Sequence, residues 1–307
     1  MAFLTQVRTK IGGDCYDSIL YYFFRMKLIK TLLLTTLFSP LYAQQPADSL
    51  KYKVEAGAAV SNGDYAPVWL TANRYGVAGY EPDFAYLRAG VEWNKVLPKN
   101  WRIDAGMDLA GGKNLSSKFW VQQAYADVSW KALTLSIGSK ERPGFPLAKN
   151  EKLTSGWMVE GTNMRPIPQV RVEVKDYLNV PGTKGWMAFK GYLSYGYFTD
   201  GDWQKDFVAP GQVYTTGVLY HSKSLMFRLG NREKLPVEFE FGLLTGAQFG
   251  GKQMRKNADG SVSLVSDMPQ ELKDFWKVFF PKQESTLQNV EGNHCGSWNF
   301  ALNYYVG

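Results

Sequence analysis

Cysteine and histidine are almost missing from this chain. Cys15 and Cys295 are its only thiols, and His221 and His294 its only imidazoles. Two cysteines so placed give no disulfide framework, least of all when Cys15 lies ahead of the cleavage site argued below. Two histidines give no His-rich metal cluster, so neither a metal nor a cofactor is expected. The phosphate-cradling P-loop, GxGxxG and HExxH are absent as well. The apolar run Ile29 to Phe38 is too short to cross a bilayer as a permanent helix. A mean hydropathy of −0.27 is too polar for a bundle of membrane helices. The net charge of +7 is spread along the chain beside acidic residues, without a dense Lys/Arg block, so nucleic acid is not an expected partner.

Aromatic residues, by contrast, reach 15%, with 18 Tyr, 18 Phe and 10 Trp. That enrichment suits aromatic girdles at a membrane interface or a sugar-binding surface. Near the start, MKLIKTLLLTTLFSPLYAQQ (26–45) has the parts of a secretory signal. Lys27 and Lys30 supply the positive region, Ile29 to Phe38 the apolar core, and Leu41-Tyr42-Ala43 a cleavage site. The expected organisation is therefore an upstream extension over 1–25, a signal peptide over 26–43 removed near Ala43, a short segment over 44–51, and a β domain over 52–307.

Beyond Gln45 the hydrophobic period is two. Trp101, Ile103, Ala105, Met107 and Leu109 share one face of a strand; Arg102, Asp104, Gly106, Asp108 and Ala110 share the other. The same alternation sets Leu133, Leu135 and Ile137 against Thr134 and Ser136, and Val170, Val172 and Val174 against Arg171 and Glu173. About ten strands follow, near 52–61, 86–93, 101–111, 118–130, 132–139, 168–175, 186–198, 224–230, 237–249 and 297–306. A soluble sandwich alternates too. Two features favour a barrel in a membrane: an aromatic at one end of several apolar faces (Trp93, Trp101, Trp298), and charges of both signs on the polar faces. Connections alternate as well. Those near 94–100, Lys131, 176–185 and 231–236 are short or medium, and 62–85, 140–167, 199–223 and 250–296 are long, with 112–117 the exception. Up-and-down barrels with short periplasmic turns and long external loops have this pattern, which puts the mature N-terminus in the periplasm. The expected fold is all-β: an outer-membrane transmembrane β-barrel of antiparallel strands, partial as the chain stands, with one short helix in a long loop. That helix is Pro269 to Phe280, where Leu272, Phe275, Trp276 and Phe279 fall on one stripe. It is expected to pack on the barrel rim, with an interfacial or a plugging position as alternatives.

Several stretches resemble the Bacteroidetes branch of the Wzi capsule-assembly family. They are GDYAPVWLTANRYG (63–76), YLRAGVEW (86–93), FWVQQAYADVSW (119–130), LSIGSKERPG (135–144), RPIPQVRV (165–172), VPGTKGW (180–186), GYFTDGDWQKDFVAPG (196–211) and LYHSKSL (219–225). They occur in order from about residue 52 to the end. The resemblance implies a non-enzymatic outer-membrane barrel of about eighteen strands that binds capsular polysaccharide as a lectin. Outer-membrane lipid and the capsule-export machinery would be its other partners. It also implies strands beyond Gly307, so the chain is expected to be truncated at the C-terminus.

Sugar recognition needs flat aromatic faces and hydrogen-bonding carboxylates or guanidinium groups. The long loops carry them. Tyr65, Trp69 and Arg74 lie in the first, beside Asp64 and Tyr75; Arg142 and Trp157 in another, beside Lys140 and Glu141; Asp200, Asp202 and Trp203 in a third, beside Lys205 and Asp206. The alternative for each is local work holding a loop together. Asp200-Gly201-Asp202 lacks the remainder of an acidic calcium loop and reads as a turn. No catalytic residue is expected. An outer-membrane diffusion channel and an outer-membrane hydrolase using His221 and Ser222 are the competing functions, the second without a nucleophile elbow to support it.

Overall fold

A computed structural model describes residues 48–143, 158–280 and 292–306. The expected extension, signal peptide and Trp157 lie outside these residues. Ten strands form one antiparallel sheet: β1 (Asp48–Val60), β2 (Asp83–Leu97), β3 (Trp101–Lys113), β4 (Phe119–Trp130), β5 (Leu133–Ser139), β6 (Gln169–Asn179), β7 (Met187–Tyr197), β9 (Leu219–Leu229), β10 (Val237–Phe249) and β13 (Asn293–Tyr304). Each strand pairs with its neighbour in the chain order of this sheet, and β1 and β13 are its edges. Every strand expected from the alternation is present. No helix among the described residues is long and apolar enough to cross a membrane, which leaves strands untouched.

The two faces of the sheet are inverted relative to a water-soluble protein. Leu87, Val91, Met107, Val121, Leu135, Ile137, Val170, Val172, Phe300 and Leu302 are exposed. Arg88, Asp108, Asp127, Ser136, Arg171, Glu173, Ser194 and Ser222, from the opposite face of the same strands, are buried. Alternation dictates the segregation, because successive side chains of a strand point to opposite sides. What it does not dictate is which side is shielded. At one end of the apolar face Trp93, Trp101 and Trp130 form a partly exposed row, with the Trp101 and Trp130 rings 6.3 Å apart. Trp298 does not belong to such a row. Its strand starts at Asn293 rather than 297, and Trp298 pairs with Leu243 in mid-strand.

The antiparallel order sends connections to alternate ends of the sheet. Those at 98–100, 131–132, 180–186 and 230–236 gather at the end that carries the tryptophan row. The connections that follow β1, β3, β5, β7 and β10 leave from the opposite end. A second, three-stranded sheet is built there: β8 (Val213–Thr216), β11 (Lys252–Lys256) and β12 (Val262–Asp267), in the order β12-β11-β8. No alternation long enough to mark these strands exists in the sequence. Three short helices also sit at this end: α1 (Val68–Thr71), α2 (Trp203–Phe207) and α3 (Leu272–Phe279). The expected helix from Pro269 thus starts at Leu272, where the Glu271 N–H donates to the Asp274 carboxylate (2.8 Å).

A bulge interrupts the alternation at Gln122-Gln123, and the β6–β7 register also shifts between Val174 and Leu178. Asp108 pairs with Gln123 but Leu109 with Val121, so Gln122 is the extra residue of a β-bulge, and both glutamines are buried. Gly138 marks a close approach between strands. Its φ is +111°, and an added Cβ would lie 2.1 Å from the Ala124 carbonyl oxygen. Gly182 has φ +84° in open space. Gly138→Ala is therefore expected to destabilise the fold by about 3 kcal/mol and Gly182→Ala by about 1 kcal/mol, as read by denaturant unfolding. Equal losses would mean that backbone strain alone, without the clash, governs both sites.

Candidate functional site

Two features stand out at the long-loop end: a ladder of buried charges on the polar face, and exposed aromatics on the loops above it. The ladder begins on β1 and β2. Tyr86 Oη donates to the Glu55 carboxylate (2.8 Å), and Lys53 pairs with the same group (2.9 Å). Arg88 Nε donates to Asp108 Oδ2 (2.7 Å), and its guanidinium also reaches Glu141 Oε1 (3.0 Å). The bulge explains how Glu141, from the loop after β5, is held. Gln122 Nε2 donates to the Glu141 carboxylate (2.8 Å), and the Glu141 N–H donates to Gln123 Oε1 (2.9 Å). Trp120 Nε1 in turn donates to Gln122 Oε1 (2.6 Å).

Further along, Asp127 accepts from Lys140 Nζ (2.5 Å) and faces Lys175 (3.6 Å). Lys175 also faces Glu173 (3.5 Å), which accepts from Arg171 Nε (2.7 Å). The Arg171 guanidinium lies over the Tyr192 ring, 3.3 Å from its centroid. Tyr192 Oη and Ser222 Oγ share a hydrogen bond (2.7 Å), and Ser222 Oγ donates to Glu160, which also accepts from Tyr220 Oη (3.1 Å). Loop residues Lys140, Glu141, Arg142 and Glu160 thus turn back onto the polar face. A buried charge is tolerated when paired. Apart from Glu160, which hydroxyl groups hold, each of these charges has an opposite charge within 4 Å, although Asp108 Oδ1, Asp127 Oδ1 and Arg142 Nε have no hydrogen-bond partner among the described residues. Towards the other end of the same face is an open, mostly polar cleft of about 270 Å³, lined in part by Lys51, Glu92, Asn94, Arg102, Asp104 and Tyr125.

The expected sugar contacts fall into three groups. Tyr65 and Trp69 are exposed on the β1–β2 loop, with Tyr65 6.4 Å from Tyr80. Arg74 is exposed in the same loop, between Asn73 and Tyr75, both at positive φ. The Asn73 N–H donates to Asn163 Oδ1 (2.7 Å) and the Tyr75 N–H to the Thr162 carbonyl (2.8 Å), tying this loop to the segment before β6. Asp200, Asp202 and Trp203 lie together on the β7–β9 connection. Asp200 accepts from the backbone N–H groups of Asp202 (3.2 Å) and Gln204 (3.3 Å), opening α2. This is the turn the sequence suggested. The Trp203 ring stacks on Phe207 at 4.8 Å, and both remain solvent-exposed.

Arg142 is different. It donates to Ser136 Oγ (2.8 Å) and to the Lys140 carbonyl (3.0 Å), with Glu173 at 3.9 Å. Burial pushes its guanidinium down to about 10, the adjacent Arg171 acts in the same direction, and Glu173 opposes both. Its side chain belongs to the internal ladder, not to the solvent-facing loop surface. No hydrogen bond, ion pair or ring contact among the described residues joins the Tyr65–Arg74 group to the Asp200–Trp203 group.

His221 and Ser222, neighbours in β9, lie on opposite faces. His221 stacks on Tyr195 (4.5 Å) on the apolar side, and Ser222 joins Tyr192 and Glu160 on the polar side. They do not form an acid–base pair. The ladder's partners were partly visible as opposite charges two residues apart, as in Arg171 and Glu173. Glu160 had no such signal, because its partners come from β9.

Comparison with protein-family models, with curated proteins and with solved structures gives no match for this chain.

Removing one member of a buried pair leaves an uncompensated charge. Asp127→Asn deprives fully buried chemistry of the carboxylate that Lys140 and Lys175 share. It is expected to cost about 3 kcal/mol in denaturant unfolding followed by tryptophan fluorescence. Arg142→Leu should cost about 1 kcal/mol or less, because Glu173 keeps Arg171 and Lys175.

Proposed function

We propose that this sheet is the wall of an outer-membrane β-barrel whose long-loop end binds capsular polysaccharide and holds it at the cell surface. One observation carries the membrane part of the reading: the apolar face of the sheet is exposed and the charged face is shielded. In water that arrangement forgoes the burial of apolar area, worth about 25 cal/mol per Å². In a bilayer it is the arrangement that hydrocarbon outside and a polar interior require. The tryptophan row on the short-loop side suits an interfacial girdle. Unsatisfied edge groups are not tolerated in lipid, so on this reading the β1 and β13 edges are paired in the membrane.

The polysaccharide part rests on two supports. The ordered stretches quoted above resemble the Wzi family, which implies a surface lectin rather than an enzyme. Independently, the external end carries aromatic faces left open to solvent, Tyr65, Trp69, Trp203 and Phe207. A ring open to solvent and braced by a neighbour is the surface on which a sugar's C–H face stacks. Capsule-export machinery is the expected periplasmic partner.

Leu135→Arg tests the membrane reading. At an exposed site in water it should change stability by about 0.5 kcal/mol or less, whereas facing hydrocarbon it should cost about 2–4 kcal/mol. Unfolding from lipid vesicles is the measurement, and a neutral result there would sink the barrel. For the polysaccharide, Trp203→Ala and Trp69→Ala are each expected to weaken binding of purified capsule by about tenfold, with Tyr177→Phe on the polar face as a variant without effect. A deletion strain should release capsule into the medium; undiminished retention there would refute the lectin role.

A further inference from the structure

We infer that α3 is an interfacial helix that seals a polar break in the lipid-facing wall and rests its outer stripe in the bilayer's headgroup–acyl boundary. This inference rests on the barrel reading above and goes beyond it.

The break is on the long-loop side of β7, β9 and β10. His221 and Lys223 alternate with Ser222 and Ser224 and therefore belong to the same side as Leu225, which is exposed. An imidazole and an ammonium on that side would face the edge of the hydrocarbon, where a bare charge costs less than at the bilayer centre but is still unfavourable. Neither is bare. α3 lies across them on the apolar face, packing Val278 and Phe275 against Ala247, Phe249, Tyr195 and Leu219. Tyr195 Oη donates to the Phe275 carbonyl (3.0 Å). His221 is buried between Tyr195 and Phe279, with Nδ1 3.1 Å from the Ser194 carbonyl. Lys223 Nζ donates to the Phe279 carbonyl, at the C-terminal end of α3, and sits 4.1 Å from the centre of the Phe279 ring. A cation there meets the negative end of the helix dipole and an unsatisfied carbonyl together. The helix thus supplies Lys223 with a carbonyl and covers His221 with the Phe279 ring, while the His221 Nδ1 partner comes from the sheet and Nε2 has no hydrogen-bond partner among the described residues.

The remaining surface of α3 divides into two further stripes. Leu272, Trp276 and Phe280, four residues apart, are exposed at 84%, 69% and 61%, and the Trp276 and Phe280 rings are parallel at 6.3 Å. Beside them Lys273 and Lys277 point to solvent, balanced by Glu271 (2.7 Å) and Asp274 (3.0 Å). Three stripes facing protein, an apolar medium and water are what a helix lying in a membrane interface needs. The apolar stripe is continuous in character with the exposed face of the strands beneath it, which is why the occupant is lipid and not a protein partner. The balanced lysines argue for a lipid contact made by hydrocarbon, without preference for anionic headgroups.

The test is spin-label depth. Single cysteines at 272, 276, 225 and 265 are introduced into the full chain carrying Cys15→Ser and Cys295→Ser, and the labelled protein is reconstituted in phosphatidylcholine vesicles. Collisions with oxygen report lipid; collisions with a nickel chelate report water. Labels at 272 and 276 should favour oxygen, at a depth of about 5–10 Å below the headgroups, with 225 deeper and 265, on exposed β12, in water. Labels at 272 and 276 matching 265 while 225 stays in lipid would overturn the role of α3 and leave the barrel intact. A water reading at 225 as well would end both. All four positions are exposed in the folded protein, so the labels displace no core.

Discussion

Charged side chains have been taken out of water on one side of a single sheet, and each must find its counter-charge on its own strand, on a neighbouring strand or on a loop that folds back. Arg88 on β2 needs Asp108 on β3; Asp127 on β4 needs Lys140 beyond β5 and Lys175 on β6; Arg171 needs Glu173 and the Tyr192 ring. The pairing sets the register as firmly as a hydrophobic core would. A slip of one residue would carry every charge to the apolar side and every valine to the polar side. Where the ladder demands one more polar group than the period allows, between β3 and β4, a bulge provides it by turning Gln122 and Gln123 the same way.

The same constraint organises the loops. Lys140, Glu141, Arg142 and Glu160 leave the loop surface and complete the ladder, which anchors the long connection between β5 and β6 at several points. Charge that is engaged inside is not available outside. What the loops present to solvent includes open ring faces, with Trp203 on Phe207 and Tyr65 near Tyr80, beside exposed charges such as Arg74, Asp200 and Asp202. On the proposed reading, a rigid charged interior supports an exposed set of ring faces, a suitable division of labour for a protein that binds a long, hydroxyl-rich polymer without reacting with it.

On the other face the problem is reversed. Lys223 lies opposite Thr245 and His221 opposite Ala247 there, and α3 adds the Phe279 carbonyl and ring to them. On the proposed reading, a helix in a loop thereby becomes part of the wall. This also explains why its sequence is apolar on more of its circumference than a helix packed on one side requires: Val278 and Phe275 meet the sheet, and Leu272, Trp276 and Phe280 meet what lies outside it.

The strands themselves were legible in the sequence because their period is local. Two residues suffice to tell Leu135 from Ser136, and ten such segments emerged without knowledge of their partners. The amphipathic stripe of α3 was legible for the same reason. The sheet formed by β8, β11 and β12 was not, since its strands are short and Met254 finds Tyr214 across forty residues of chain. Nor could the sequence say that Arg142 turns inward while Trp203 stays outside, or that α3 lies over His221. Alternation assigns side chains to two faces, but whether a face is shielded and what covers it depend on residues far away in the chain. Only the folded sheet, by bringing Glu160 to Ser222 and Phe279 to Lys223, decides those.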